Sequence, residues 1–141
     1  MASLVATRAL SLRIDWINDT IKLMLVDETF VPSRDYDFVS EVVAKEIVTD
    51  GYARQTLGPA GKTVTVNKPQ NRVDFDAPDV SFGALGAVTP DTIGYGVVFR
   101  QQANDATSEV ICMLDAADIL TAGNIVNGVF PANYVFYLST A

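Results

Sequence analysis

Hydrophobic and polar positions change their rhythm twice along this chain, and each change predicts a different kind of element. Ile21-Lys22-Leu23-Met24-Leu25-Val26 is an apolar run broken only by Lys22, short enough for a buried strand and too short for a helix of ordinary length. Pro32 has no amide to donate and ends extended pairing. Ser33, Asp35 and Asp37 then offer side-chain oxygens to cap a helix. Phe38, Val39, Val42, Val43 and Ile47 recur at helical spacing, while Glu41, Lys45 and Glu46 fall toward the other face and Gly51 stands where the chain must leave. The spacing predicts one amphipathic α-helix over residues 36–48.

After Tyr52 the period becomes two. Thr63-Val64-Thr65-Val66 and Arg72-Val73-Asp74-Phe75-Asp76 read as half-buried strands with apolar residues inward and polar ones outward. Gly58-Pro59-Ala60-Gly61 and Lys68-Pro69-Gln70-Asn71 punctuate them. Val80-Ser81-Phe82 continues the alternation, residues 93–99 and 110–114 read as neighbouring strands joined by a polar connection, and Tyr134-Val135-Phe136-Tyr137-Leu138 reads as a last strand. Gly94-Tyr95-Gly96 inside a strand marks a bulge or the close approach of another backbone. These elements predict a mainly β, single-domain antiparallel β-sandwich, jelly-roll-like, onto which the helix packs. Residues 1–12 form an N-terminal arm or a first strand, and residues 13–141 the sandwich with its helical insertion.

Composition narrows the function classes. A chain of 141 residues is long enough for one domain with a real core. At 49% hydrophobic residues and a mean hydropathy of +0.22, some apolar surface is expected to meet a partner subunit. A net charge of −7 and a pI near 4.3 argue against nucleic acid, whose phosphates are held by clustered Lys and Arg. Cys112 is the single cysteine and sits in an apolar run, so it reads as a buried, inert thiol. The opening residues, with Arg8 and Arg13 among the apolar ones, do not read as a signal peptide, and no stretch reads as a membrane span. Synthesis in a cytoplasm and no membrane partner are the expectation.

The chain contains no histidine, which removes the commonest general base and metal ligand from any site it could build. A hard cation held by oxygen alone stays open, and Asp74, Asp76 and Asp79 are its weak candidates against solvated carboxylates on a strand face. Asp15 and Asp19 around Trp16 are explained equally well by a turn. No phosphate-binding glycine loop is present. No catalytic residue and no cofactor are expected. Trp16, Phe30, Tyr36 and Tyr52 lie near turns or element ends, where a large flat side chain serves as core edge or as interface anchor, core being the favoured reading for each one taken singly. Met1, Leu4, Val5 and Leu10 of the arm, with Trp16, Phe30 and Tyr36, make up the expected interface set.

Several blocks in order resemble a family of small tailed-bacteriophage virion proteins. They are Asn18-Asp19-Thr20-Ile21-Lys22-Leu23-Met24-Leu25-Val26, Pro32 in the following turn, Tyr36-Asp37-Phe38-Val39-Ser40-Glu41-Val42, Gly51-Tyr52 and Lys62-Thr63-Val64-Thr65. The likeness continues through Asn71-Arg72-Val73-Asp74-Phe75-Asp76-Ala77-Pro78-Asp79-Val80, Gly96-Val97-Val98-Phe99-Arg100 and Asn104-Asp105-Ala106-Thr107-Ser108. It spans residues 18–114, and beyond them only Gly123-Asn124-Ile125 and Leu138-Ser139-Thr140 echo the family's closing pattern. The resemblance implies a structural part of a virion. The first expectation is a capsid decoration, or cement, protein that contacts the major capsid protein and forms a homotrimer or homodimer, with its arm on a neighbouring subunit. A tail- or head-fibre-associated adaptor, a carbohydrate-binding β-sandwich using Trp16 and exposed tyrosines, and a cryptic hydrolase are the alternatives.

Overall fold

The computed structural model describes residues 14–58, 60–131 and 134–139. Nine strands follow one another among them: β1 (Ile21–Asp27), β2 (Gln55–Thr56), β3 (Thr63–Asn67), β4 (Arg72–Asp76), β5 (Val80–Leu85), β6 (Thr92–Arg100), β7 (Glu109–Leu120), β8 (Asn124–Gly128) and β9 (Phe136–Ser139). They pair antiparallel into a four-stranded sheet of order β2-β1-β6-β7, a three-stranded sheet β3-β4-β9 and a two-stranded ribbon β5-β8. The result is mainly β and sandwich-like, as the patterning predicts.

The four-stranded sheet is the middle layer. Leu23 and Leu25 of β1, Val98 of β6 and Ile111 of β7 face a core shared with Phe82 and Leu85 of β5, Val126 of β8, Phe136 of β9 and Trp16. Met24, Val26, Val97, Phe99 and Val110 face the opposite way, into a second core closed by Phe30, Val39 and Val42. Burial on both faces explains why β1 is an unbroken apolar run, since an alternating strand would put polar groups into one of the cores.

The helix expected over residues 36–48 is not formed. The segment carries two short 3₁₀ turns, Val39–Glu41 and Val43–Lys45, with Val42 between them. Its ends are held by strands. Phe38 bridges Glu109 and Glu46 bridges Val26, Val39 N donates to Ser108 O, and Ile47 N donates to Leu25 O at 3.1 Å. An isolated helix of about 13 residues is marginal in water, and valine and isoleucine lose side-chain freedom in a helix. Backbone partners on β1 and β7 therefore outcompete i→i−4 bonding. The apolar face survives in another conformation, with Val39, Val42 and Ile47 buried and Val43 packed against the second core. Lys45 Nζ reaches Thr29 Oγ1 at 2.7 Å, and the Glu41 carboxylate accepts the amides of Asp37 and Phe38.

Two further expectations change. Val64 and Val66 do not point into a closed core, for Val66 is 66% exposed and Val64 is also exposed. Asp74, expected on a solvated face, is buried. β7 is also longer than its apolar run, because its second half is exposed and kinked: three residues, 116–118, fit between the Tyr95–Asp115 and Ile93–Ile119 pairs, with Ala117 and Asp118 both in the left-handed region. Gly94 faces this bulge. A side chain there would lie 2.7 Å from Asp27 O and 2.8 Å from Glu28 Cα, which is the close backbone approach its sequence context predicts.

Candidate interaction surface

Of the seven expected interface residues, Met1, Leu4, Val5 and Leu10 lie outside the described residues. Trp16 is corrected to core: it is 2% exposed, meets Phe75 and Phe136 edge-on at 6.1 and 5.2 Å, and donates its indole N–H to Asp76 O at 2.8 Å. Buried in this way it has no face to offer a partner or a sugar ring. Phe30 is likewise interior, between Tyr36 and Tyr95, and Tyr36 is half-buried beside it. Their place near turns is that of lids over the second core.

The three aspartates considered for a cation are not gathered at one point. The Asp74 carboxylate lies 2.6 Å from Arg72 Nε, an ion contact whose angle falls short of a hydrogen bond, and its other oxygen accepts from Asn67 Nδ2 at 3.2 Å. The Arg72 guanidinium lies over the rings of Tyr134 and Tyr137, 4.7 and 4.5 Å from their centres. Asp79 accepts the Phe130 amide instead. Among the described residues no group of three or more acidic or cysteine side chains is arranged to hold a metal ion.

Two other ion-pair clusters, invisible in the linear sequence, tie segments together. Arg54 holds Glu46 through Nε and Nη2 at 2.8 Å and Asp105 through Nη1 at 2.7 Å, with its guanidinium 5.4 Å from the Phe99 ring centre. The Tyr52 hydroxyl donates to Glu46 and accepts the Leu25 amide, and burial, followed by the negative charge of Glu46, pushes its ionisation up. Arg100 clasps Glu109 through two bonds of 3.1 Å and reaches Asp19. The Arg54 contacts hold the excursion between β1 and β2 against the connection after β6, and the Arg100 contacts join β6 to the start of β7 and to the turn before β1. Cys112 is buried, and burial alone pushes its thiol up to about 12, so it stays protonated.

Four exposed apolar side chains are carried by neighbouring segments, while others, Val31, Val66 and Val129 among them, are exposed outside this group. Val48 is 81% and Val88 84% exposed, and Leu120 and Ile125 are exposed as well. The segments that carry them are knitted by polar bonds. Asp50 accepts the amides of Thr89 and Val88 at 2.8 and 3.1 Å, which hold its carboxyl below the usual carboxylate range, the Thr89 bond first. Asp91 and the buried Thr121 exchange two bonds of 2.9 Å, Val48 N donates to the Asp91 carboxylate, and Gly123 N donates to Leu85 O. Gly86, at φ +72°, is required there, because a side chain would overlap Thr121 Oγ1.

No protein-family model, curated protein or solved structure matches the chain. Among the described residues no helix is long and apolar enough to cross a membrane. This exposed group could not be read from the sequence, because Val48, Val88, Leu120 and Ile125 lie far apart in it and each looks like a residue of a strand or its flank.

Proposed function

We propose that this chain is a structural protein of a tailed-phage virion, most simply a capsid decoration protein that bridges capsid subunits. The observation that carries the reading is that Val48, Val88, Leu120 and Ile125 are exposed on segments joined to one another by hydrogen bonds. Exposed apolar side chains on rigid turns lose little conformational freedom on docking, so their burial against a partner is converted into affinity with small ordering cost. The ordered resemblance supports the same reading, since its blocks coincide with β1, the 36–42 segment, β3, β4 and β6. Its acidic and basic side chains also serve cohesion: Glu46, Asp105, Glu109 and Asp74 are each engaged by an arginine, which fits a non-enzymatic role.

Purified virions provide the test. A decoration protein is present in hundreds of copies, separates from the shell under mild washing, and leaves a shell that opens at lower temperature. A copy number of about a dozen or fewer, or a washed shell of unchanged heat resistance, overturns the capsid assignment.

A further inference from the structure

We infer that residues 28–45 form a strap over the second core that lifts from the central sheet as a unit while the rest of the domain stays folded. This goes beyond the virion reading and does not depend on it. The two ends of the strap meet. Glu28 follows directly on β1, and its amide donates to Thr92 O at 3.1 Å. At the other end Glu46 bridges Val26, and its carboxylate takes bonds from the Tyr52 hydroxyl and from Arg54. Ile47 is then buried in the first core, with its amide on Leu25 O. A loop whose ends are fixed side by side can leave the surface without moving what precedes or follows it.

Between those ends the attachment is local. Val39 N donates to Ser108 O at 2.9 Å, Ser40 N to Asp105 O at 3.0 Å and Val110 N to Asp37 O at 2.9 Å, while Phe38 bridges Glu109. These contacts all fall on residues 105–110, the connection after β6 and the start of β7. Arg54, outside the strap, holds Asp105 through bonds of 2.7 and 3.1 Å, so this platform keeps its place when the strap is away. The strap also holds by apolar contact, with Phe30, Val39 and Val42 clustered on Met24, Val26, Val97, Phe99 and Val110 of the sheet.

Bonds inside the strap make it one body. The Glu41 carboxylate accepts the Asp37 and Phe38 amides at 2.7 and 2.8 Å, and the rings of Phe30 and Tyr36 lie 5.9 Å apart. Lys45 Nζ donates to Thr29 Oγ1 at 2.7 Å, tying the last residue of the strap to its second. The sheet beneath is held independently. β6 keeps its pairs with β1 and β7, and the opposite face of that sheet is packed in the first core by β5, β8 and β9. Built on two 3₁₀ turns and isolated bridges, the strap belongs to the low end of local stability, whereas the sheet opens only with the whole domain. Lifting it bares Met24, Val26, Val97 and Phe99 and frees the Val110 amide, an apolar face that the closed strap conceals.

Amide hydrogen exchange of the full chain in rising denaturant tests this. The Ser40 and Val110 amides, whose bonds join strap and platform, should share one protection factor, ~100-fold below that of the central β6 amides and less dependent on denaturant. Val126→Ala, which empties a site in the first core, should speed exchange in β6 by ~10-fold or more and leave Ser40 and Val110 unchanged, because strap opening keeps that core intact. Should Val126→Ala not fold, Ile111→Val is the milder loss in the same core, with a gain of ~3-fold in β6 and none at Ser40 and Val110 expected. Protection at Ser40 and Val110 equal to that of β6, a difference of more than about tenfold between the two, or their acceleration together with β6 in the core variant overturns the inference.

Discussion

At the residue scale, polar and small side chains decide more than the apolar ones do. Arg54 joins Glu46 and Asp105 across segments that the sequence leaves unconnected, and its hydrogen bonds hold the Asp105 carboxyl below its ordinary value of 3.8. A carboxyl whose folded pKa is depressed adds stability above its unfolded value and loses it as pH falls through the folded one. Acid titration of unfolding free energy should therefore show a loss beginning as pH drops toward 3.8 that Asp105→Asn removes. Because Asp105 is partly exposed, the difference at neutral pH is about 0.5–1 kcal/mol and shrinks with salt. Gly94 gives a steric counterpart. Its missing side chain leaves room for Asp27 O and Glu28 Cα, so Gly94→Ala should lower stability in urea by about 1–3 kcal/mol through overpacking.

At the element scale, strands and the segment between β1 and β2 behave differently. The strand patterns at 21–26, 63–66, 72–76 and 93–99 each mark an element that forms, because a two-residue period or a short apolar run is already the full local requirement of a strand. Two strands escaped notice. β2 is two residues long, and β8 is exposed along most of its length, so neither leaves a hydrophobic rhythm. Residues 36–48 show the opposite error, a helical rhythm realised as paired 3₁₀ turns. A peptide of residues 36–48 should give a coil-like circular dichroism spectrum in water, and marked helicity there would show that the segment is helical by itself and forced open by β1 and β7. Ile47→Ala, by emptying a buried site beside β1, should cost about 2–4 kcal/mol in denaturant unfolding.

At the scale of the whole molecule, one central sheet with a core on each face leaves Val48 and Val88 exposed on segments tied together by hydrogen bonds. Substituting exposed residues on rigid turns leaves stability within about 0.5 kcal/mol. The proposed capsid role predicts that Val48→Lys combined with Val88→Lys keeps the unfolding midpoint and abolishes rebinding to stripped capsids, read by co-sedimentation. Full rebinding by the double variant would place the contact on another face.

Local chemistry was legible in the order of residues: most strands, the turns at proline and glycine, the buried thiol of Cys112 and the close approach at Gly94. Each depends on a period or a backbone constraint that a few neighbouring residues contain. The candidate surface was not legible, and neither was the burial of Asp74 or the opening of Val66. Exposure belongs to a residue only once a second layer either covers it or stops short. Trp16 lies under β4 and β9, whereas the valines of β3 extend past the core that their alternation promised. Sequence determined which residues could be buried; the packing of three antiparallel sheets decided which of them are.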